Sequence, residues 1–262
     1  MLKDRDMIPK VIHYCWFGRN PLPPLATMCI ESWRKYLPDY EIKEWNEDNF
    51  DVNIIPYTRE AYQAKKYAFV SDYARFWILY HHGGLYFDTD VELIKPIDDI
   101  IAKGPFMGRE SDMEDKAGMA RHLILAVNPG LGIGVPASHF FYQEMLEGYA
   151  KRHFILSDGS LNLKTVVEYT TDALCELGLK NWHDVRECAG IWIYPKEYFC
   201  PIDYKTHLRK DTKNTRMVHH FAGSWITKAD RRRAKVYKIL TESPFFFGVR
   251  PLYRLVKRFI KR

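Results

Sequence analysis

The phrase "HHGGLYFDTDVEL", His81 to Leu93, sets Asp88 and Asp90 directly behind the apolar run Leu85, Tyr86 and Phe87. Carboxylates drawn toward a core are costly unless a cation, donors or a metal compensates them. Side chains of an extended segment alternate, so both aspartates are expected on one side of a strand. Two carboxylates sharing a face repel each other unless a cation lies between them. Hard divalent ions such as Mg²⁺ or Mn²⁺ take oxygen ligands and keep positions open for phosphate oxygens. The D-x-D pair therefore suggests a metal that carries a diphosphate. In the plainer alternative one Asp caps a turn and the other is solvated.

Two other groups could join it. Asp72 and Arg75 are three residues apart on a helical pattern and share a face; an ordinary surface ion pair would look the same and be worth little. In "HHFAGSW", His219, His220 and Ser224 offer an imidazole and a hydroxyl to a metal or phosphate site, and Trp225 offers an indole N–H. A lone histidine would be read as core or surface, but a double His before Gly-Ser-Trp is less easily dismissed.

These residues need elements to hold them. "IPKVIHYCWFG" reads as an opening strand, residues 25–36 as a helix stopped by Pro38, and "YEIKEW" as a second strand, which makes a βαβ beginning. Helical spacing runs from Arg59 to His82, with Gly83 as its left-handed cap and a strand starting at Leu85. Further strands are expected around Phe106, Ile124, Ile191–Tyr194 and Met217, and further helices over 140–152 and 164–177. The expected organisation is one domain over residues 1–243 and a basic tail over 244–262.

With 262 residues, 47% apolar and 15% aromatic, the chain can bury a substantial core. Five dispersed cysteines without a C-x-x-C pair argue against a disulfide framework or zinc site and suit a reducing compartment. No apolar leader or membrane span is evident, so a cytoplasmic location is expected. The net charge of +6 is matched by six basic residues between Arg250 and Arg262, which leaves a balanced body and no broad nucleic-acid surface. In that tail Leu252, Leu255, Val256, Phe259 and Ile260 recur at helical steps, opposite Arg254, Lys257, Arg258 and Lys261. That pattern suits an anionic membrane surface, with a packed C-terminal helix as the alternative.

Four separated phrases carry a resemblance: "IPKVIHYCWFG", "CIESWRKYLPDYEI", "KKYAFVSDYARFWILYHHGGLYFDTDVEL" and "HHFAGSW". In this order they resemble family 32 of the glycosyltransferases, over about residues 8 to 226. The group contains bacterial capsular and surface-polysaccharide sugar transferases and a yeast initiating mannosyltransferase. The resemblance implies an α/β GT-A fold, Rossmann-like with a mixed central sheet, a nucleotide-sugar donor with UDP-sugars favoured, a divalent metal and retention of configuration. A saccharide or lipid-linked acceptor is expected with it, and the basic tail suggests that such an acceptor is reached from the inner face of a membrane. Carried over residue by residue, it makes Asp90 the more direct metal ligand and Asp88 shared between ribose, sugar and metal, and it matches Asp72 and Arg75 to the "SD-x-x-R" element that holds the donor sugar. Trp16 matches the aromatic that stacks on the base, a core aromatic being the alternative. Ser224 and His220 are candidates for the third metal-side position, with His219 a close rival, and Trp225 is the candidate phosphate donor.

Two rivals remain at this point. Aspartate-based phosphotransferases also place D-x-D after an apolar strand, but here Glu92 occupies the position usually held by Thr or Val. A non-catalytic metal- and sugar-binding module is the other.

Overall fold

The β-branched and aromatic run Val11, Ile12, Tyr14 forms β1 (Val11–Cys15), which lies between parallel neighbours β2 (Glu41–Trp45) and β3 (Gly84–Tyr86). The structure, a computed structural model, describes residues 7–111, 124–181, 183–202 and 208–223. Beyond β3 the sheet continues with β6 (Val127–Val135), β5 (Phe106–Arg109), β8 (Ile191–Tyr194) and β7 (Arg186–Cys188), giving the order β2-β1-β3-β6-β5-β8-β7. β6 is antiparallel to both its neighbours and β7 to β8, while β5 and β8 are parallel. This is the α/β architecture with a mixed central sheet that the resemblance implies. The strand expected around Ile124 begins three residues later, at Val127.

A second, two-stranded antiparallel sheet joins β4 (Val91–Leu93) to β9 (Met217–His219). The turn that carries Asp88 and Asp90 links the two sheets. α1 (Pro24–Tyr36) anchors the far side of that turn: the Trp33 indole N–H donates to the Val91 carbonyl at 2.7 Å, and Ser32 Oγ accepts from the Leu93 N–H at 2.9 Å.

The single helix expected over residues 59–82 is two helices, α2 (Pro56–Gln63) and α3 (Tyr67–His82). Lys65 takes φ of 56° between them, a left-handed conformation that breaks the hydrogen-bond run. Phe69, Tyr73 and Phe76 of α3 are buried, and they meet rings from α5 (Phe140–Ala150) and the loop after it, including Tyr142, Tyr149 and Phe154. The helix leaves through Gly83 at φ 64°, where a Cβ would stand 2.7 Å from the Ala137 nitrogen, so only glycine fits. The core has two parts. One includes the α2–α3–α5 rings and α6 (Val166–Glu176). In the other, Trp33, Phe87 and Leu93 pack with Phe199 of α7 (Lys196–Phe199), Ile100 of α4 (Asp98–Lys103) lying among them.

Through Ala222 the described residues form one compact unit. The expected boundary at 243/244 and the basic tail lie outside the described residues, as do Ser224 and Trp225.

Candidate active site

Parallel pairing of β1 and β3, with His13 opposite Tyr86, carries Trp16 and Asp88 beyond the same edge of the sheet. That edge, at the carboxyl ends of the parallel strands, is where open α/β sheets bind ligands. The expectation that Asp88 and Asp90 lie in one strand is corrected: they fall in a turn closed by the Val91 N–H donating to the Asp88 carbonyl at 3.0 Å. Turn geometry, not strand alternation, brings the carboxylates together.

Each carboxylate has its own cation. Arg75 on α3 is buried, and its Nη2 lies 2.9 Å from Asp72 Oδ1 and 3.4 Å from Asp88 Oδ1. The Arg75 guanidinium lies over the Tyr86 ring, 5.0 Å from its centroid, and the Tyr86 hydroxyl donates to Asp88 Oδ1 at 3.1 Å. The Asp72–Arg75 pair is thus an internal pair, not the surface alternative. Burial works against the Arg75 charge, yet Asp88, Tyr86 and Asp72 together hold its pKa above the ordinary arginine value. Burial pushes the Asp72 carboxyl up to about 7; Arg75 opposes the rise and Asp88 adds to it. Arg75 Nη1 is buried without a hydrogen-bond partner, which leaves a fixed N–H donor beside the aspartates.

On the other side, Asp90 Oδ1 lies 3.2 Å from His219 Nε2, and Asp90 Oδ2 accepts the Ala222 N–H at 2.8 Å. Burial alone would raise the Asp90 pKa, but His219 and the Ala222 N–H outweigh it and hold the carboxyl low. Burial alone would lower that of His219; Asp90 outweighs it and lifts the imidazole well above its usual value.

Oxygens of Asp88 and Asp90 and a ring nitrogen of His219 lie within 4.8 Å of one another. Two carboxylate oxygens and one imidazole nitrogen are a donor set that a hard or borderline divalent cation accepts, so these residues fit the implied metal. His219, not the expected His220, belongs to this group. Val91 pairs with His219 in the β4–β9 ladder, and alternation along β9 turns the next side chain away; His220 Nε2 bonds Glu92 Oε2 at 2.9 Å instead.

Trp16 is half-buried, and its indole N–H donates to the Asn20 carbonyl at 2.6 Å within its own loop. Cys15, behind the aspartates, is buried, and burial pushes its thiol up to about 12, which keeps it from acting as a thiolate nucleophile. Tyr86, Asn128 and Gly130 escaped the sequence reading. A Cβ at Gly130 would collide with the Asp88 carboxylate, and the Asp88 N–H donates to the Gly130 carbonyl at 3.1 Å. The phrase "NPGLG", a Pro-Gly pair ahead of alternating glycines, was the available signal.

Residues 23–107, which contain both aspartates, Asp72 and Arg75, match the family described as glycosyltransferase sugar-binding region containing DXD motif. Within the chain, 115 residues are 30% identical to inositol phosphoceramide mannosyltransferase 1 of Schizosaccharomyces pombe, covering 40% of this chain and 34% of the relative. A glycosyltransferase of Acanthamoeba polyphaga mimivirus, L373, is 34% identical over 106 residues, covering 38% of this chain and 42% of the viral protein. The matches thus span well under half of these relatives' lengths. Among solved structures, the PaToxG glycosyltransferase is 20% identical with a TM-score of 0.44, covering 64% of this chain and 69% of its own. The galactosyltransferase LgtC, solved with donor and acceptor sugar analogues, is 14% identical with a TM-score of 0.45, covering 89% and 97%. The DXD sugar-binding region ends within β5, so β6 and β9, which complete the site around the DXD turn, lie outside it.

Proposed function

We propose that the chain is a metal-dependent retaining glycosyltransferase that moves a hexose from a nucleotide diphosphate sugar to a saccharide or lipid-linked acceptor. The observation that carries this reading is the convergence of Asp88, Asp90 and His219 within 4.8 Å, beside an internal Asp72–Arg75 pair. Asp88, Asp90 and His219 would hold Mn²⁺ or Mg²⁺. A divalent cation there supplies charge neutralisation for a departing diphosphate.

The protein's own groups orient the donor. Arg75 is assigned to the donor sugar on the resemblance, and Asp72 and Asp88 fix its guanidinium. Holding the sugar in one pose converts binding into positional advantage. Trp16 offers an indole face to the base, and Ser224 and Trp225 are assigned to the metal and phosphates on the resemblance alone. Attack on the same face assisted by the leaving phosphate is preferred to double displacement because no residue stands out in the sequence as a covalent nucleophile.

A lipid-linked acceptor is supported by the name of the fission-yeast relative, an inositol phosphoceramide mannosyltransferase. Among the described residues no helix is long and apolar enough to cross a membrane; the basic tail is assigned to an anionic inner membrane face on its sequence pattern. A role in bacterial surface-polysaccharide synthesis and a preference for UDP rest on the family resemblance, and the relatives named above are fungal and viral. The test is release of nucleoside diphosphate across mannosyl, glucosyl and galactosyl nucleotides with Mn²⁺, Mg²⁺ or EDTA. Slow metal-dependent release without acceptor is expected from at least one donor, and no release from any of them would overturn the reading.

A further inference from the structure

The carboxyl end of β5 reaches the same edge of the sheet as Asp88, because β5 is antiparallel to β6 and β6 is antiparallel to β3. The residue that follows β5 is Glu110. Its Oε2 accepts the Asn128 amide N–H at 2.8 Å, and Asn128 Oδ1 accepts the Gly130 N–H at 2.7 Å. Both ends of the amide are engaged, which sets its orientation: the oxygen must face the Gly130 donor and the nitrogen the carboxylate. Gly130 in turn touches the DXD turn, since a Cβ built there would lie 3.0 Å from Asn128 Oδ1 and would collide with Asp88 Oδ2.

Asp88 thereby divides two flanks. Its Oδ1 faces Arg75 and Tyr86, and its Oδ2 faces Gly130, with Asn128 and Glu110 beyond. Asn128 is buried and Glu110 is partly exposed. The guanidinium next to Glu110 in sequence is occupied elsewhere: Arg109 donates to the Leu125 and Ile124 carbonyls and to Asn181 Oδ1. Among the described residues, then, the Glu110 carboxylate is braced by a neutral amide and keeps accepting capacity at this edge of the sheet. Such a carboxylate suits a sugar hydroxyl, the donor that charge-assisted hydrogen bonds select.

We propose that Glu110 binds a hydroxyl of the saccharide acceptor on the flank of Asp88 opposite Arg75, with Asn128 as its positioning residue. The assignment rests on the transferase reading given above. If Arg75 and Asp72 hold the donor sugar on one flank, the other is left for the acceptor, and among the described residues Glu110 is a carboxylate that the fold brings there.

The test uses the full chain, a donor that it hydrolyses, and methyl α-mannoside, methyl α-glucoside and methyl β-galactoside as acceptor probes. At least one glycoside is expected to accelerate nucleoside diphosphate release by the wild type. Glu110→Gln and Glu110→Ala should raise the KM for that glycoside at least roughly tenfold, the loss of one charge-assisted hydrogen bond, and Glu110→Asp should recover part of it. Donor KM should move less than about twofold. A parallel rise in donor KM together with a lowered melting temperature would overturn the proposal in favour of a buttress for Asn128 and Gly130. An unchanged glycoside KM would also overturn it, as would donor hydrolysis by the wild type that no glycoside accelerates. A wild type that releases no nucleoside diphosphate from any donor would sink the transferase reading itself.

Discussion

The two halves of the DXD turn are held by different means. Asp88 is compensated from α3, where Arg75 is surrounded by a packed aromatic core, whereas Asp90 is compensated from a three-residue strand by His219 and by backbone N–H groups. In the helix half the cation is permanent and its position is set by α3 and its packing. In the strand half the cation is an imidazole, and the ladder that places it is short. Rigid charge compensation therefore sits where a donor would be gripped, and a titratable ligand sits where a metal would be held.

If the helix half is built into the core, removing its cation should damage folding most. Arg75→Met is expected to cost about 3–5 kcal/mol in denaturant unfolding, because it leaves buried carboxylates unpaired. The loss should grow with pH: without Arg75 the Asp72 pKa rises further, so the folded state retains a proton that the unfolded chain releases. His219→Gln in the strand half should cost only about 1–2 kcal/mol. Equal costs would erase the distinction between the halves.

Acid should also strike through the helix half. His13 on β1 accepts from the Trp45 indole at Nδ1, at 3.0 Å, and donates from Nε2 to the Gly83 carbonyl at the end of α3, at 3.1 Å, which requires the neutral ring. Burial lowers its pKa to about 4. Between that value and the unfolded value near 6.5, the unfolded chain binds the extra proton, so stability is full above this window and falls as pH drops through it. The expected loss is about 3 kcal/mol by pH 4. A His13→Gln variant whose stability fell by the same amount over this range would show that the acid limit lies elsewhere.

Both halves should matter alike for turnover. Asp88→Asn and Asp90→Asn are each expected to lower the rate about a hundredfold or more without unfolding the chain, the scale of losing a principal electrostatic stabiliser. Wild-type rates that were equal in EDTA and in Mn²⁺ would remove the metal from this picture. The smallest effect belongs to the loop after β1, which neither half supports: Trp16→Ala should weaken nucleotide binding by about 1–3 kcal/mol if the indole stacks on the base. A large fall in melting temperature with unchanged nucleotide affinity would make Trp16 a core residue instead.

Much of the helix half was legible beforehand. Asp72 and Arg75 share a face because a helix repeats every 3.6 residues, and Phe69, Tyr73 and Phe76 mark the face beside it as buried. Such periodic signals are local and survive in one dimension. The choice of His219 over His220 was not legible, because it depends on the register of β9 against β4, and those strands are more than a hundred residues apart. The break at Lys65 was hidden for a related reason: apolar spacing continues across it, and the left-handed residue is not a glycine.

By itself the sequence determined which residue types could do the chemistry, that both aspartates follow an apolar run, and that an α/β sheet would carry them. Only the tertiary structure decided which partner each carboxylate meets, that the D-x-D lies in a turn between two sheets, and that Asn128 and Gly130 of β6 stand on the flank of Asp88 opposite Arg75. The physical reason is range. Propensity and periodicity act over a few residues, whereas charge compensation is settled by whichever distant strand or helix the packed core brings within a few ångströms.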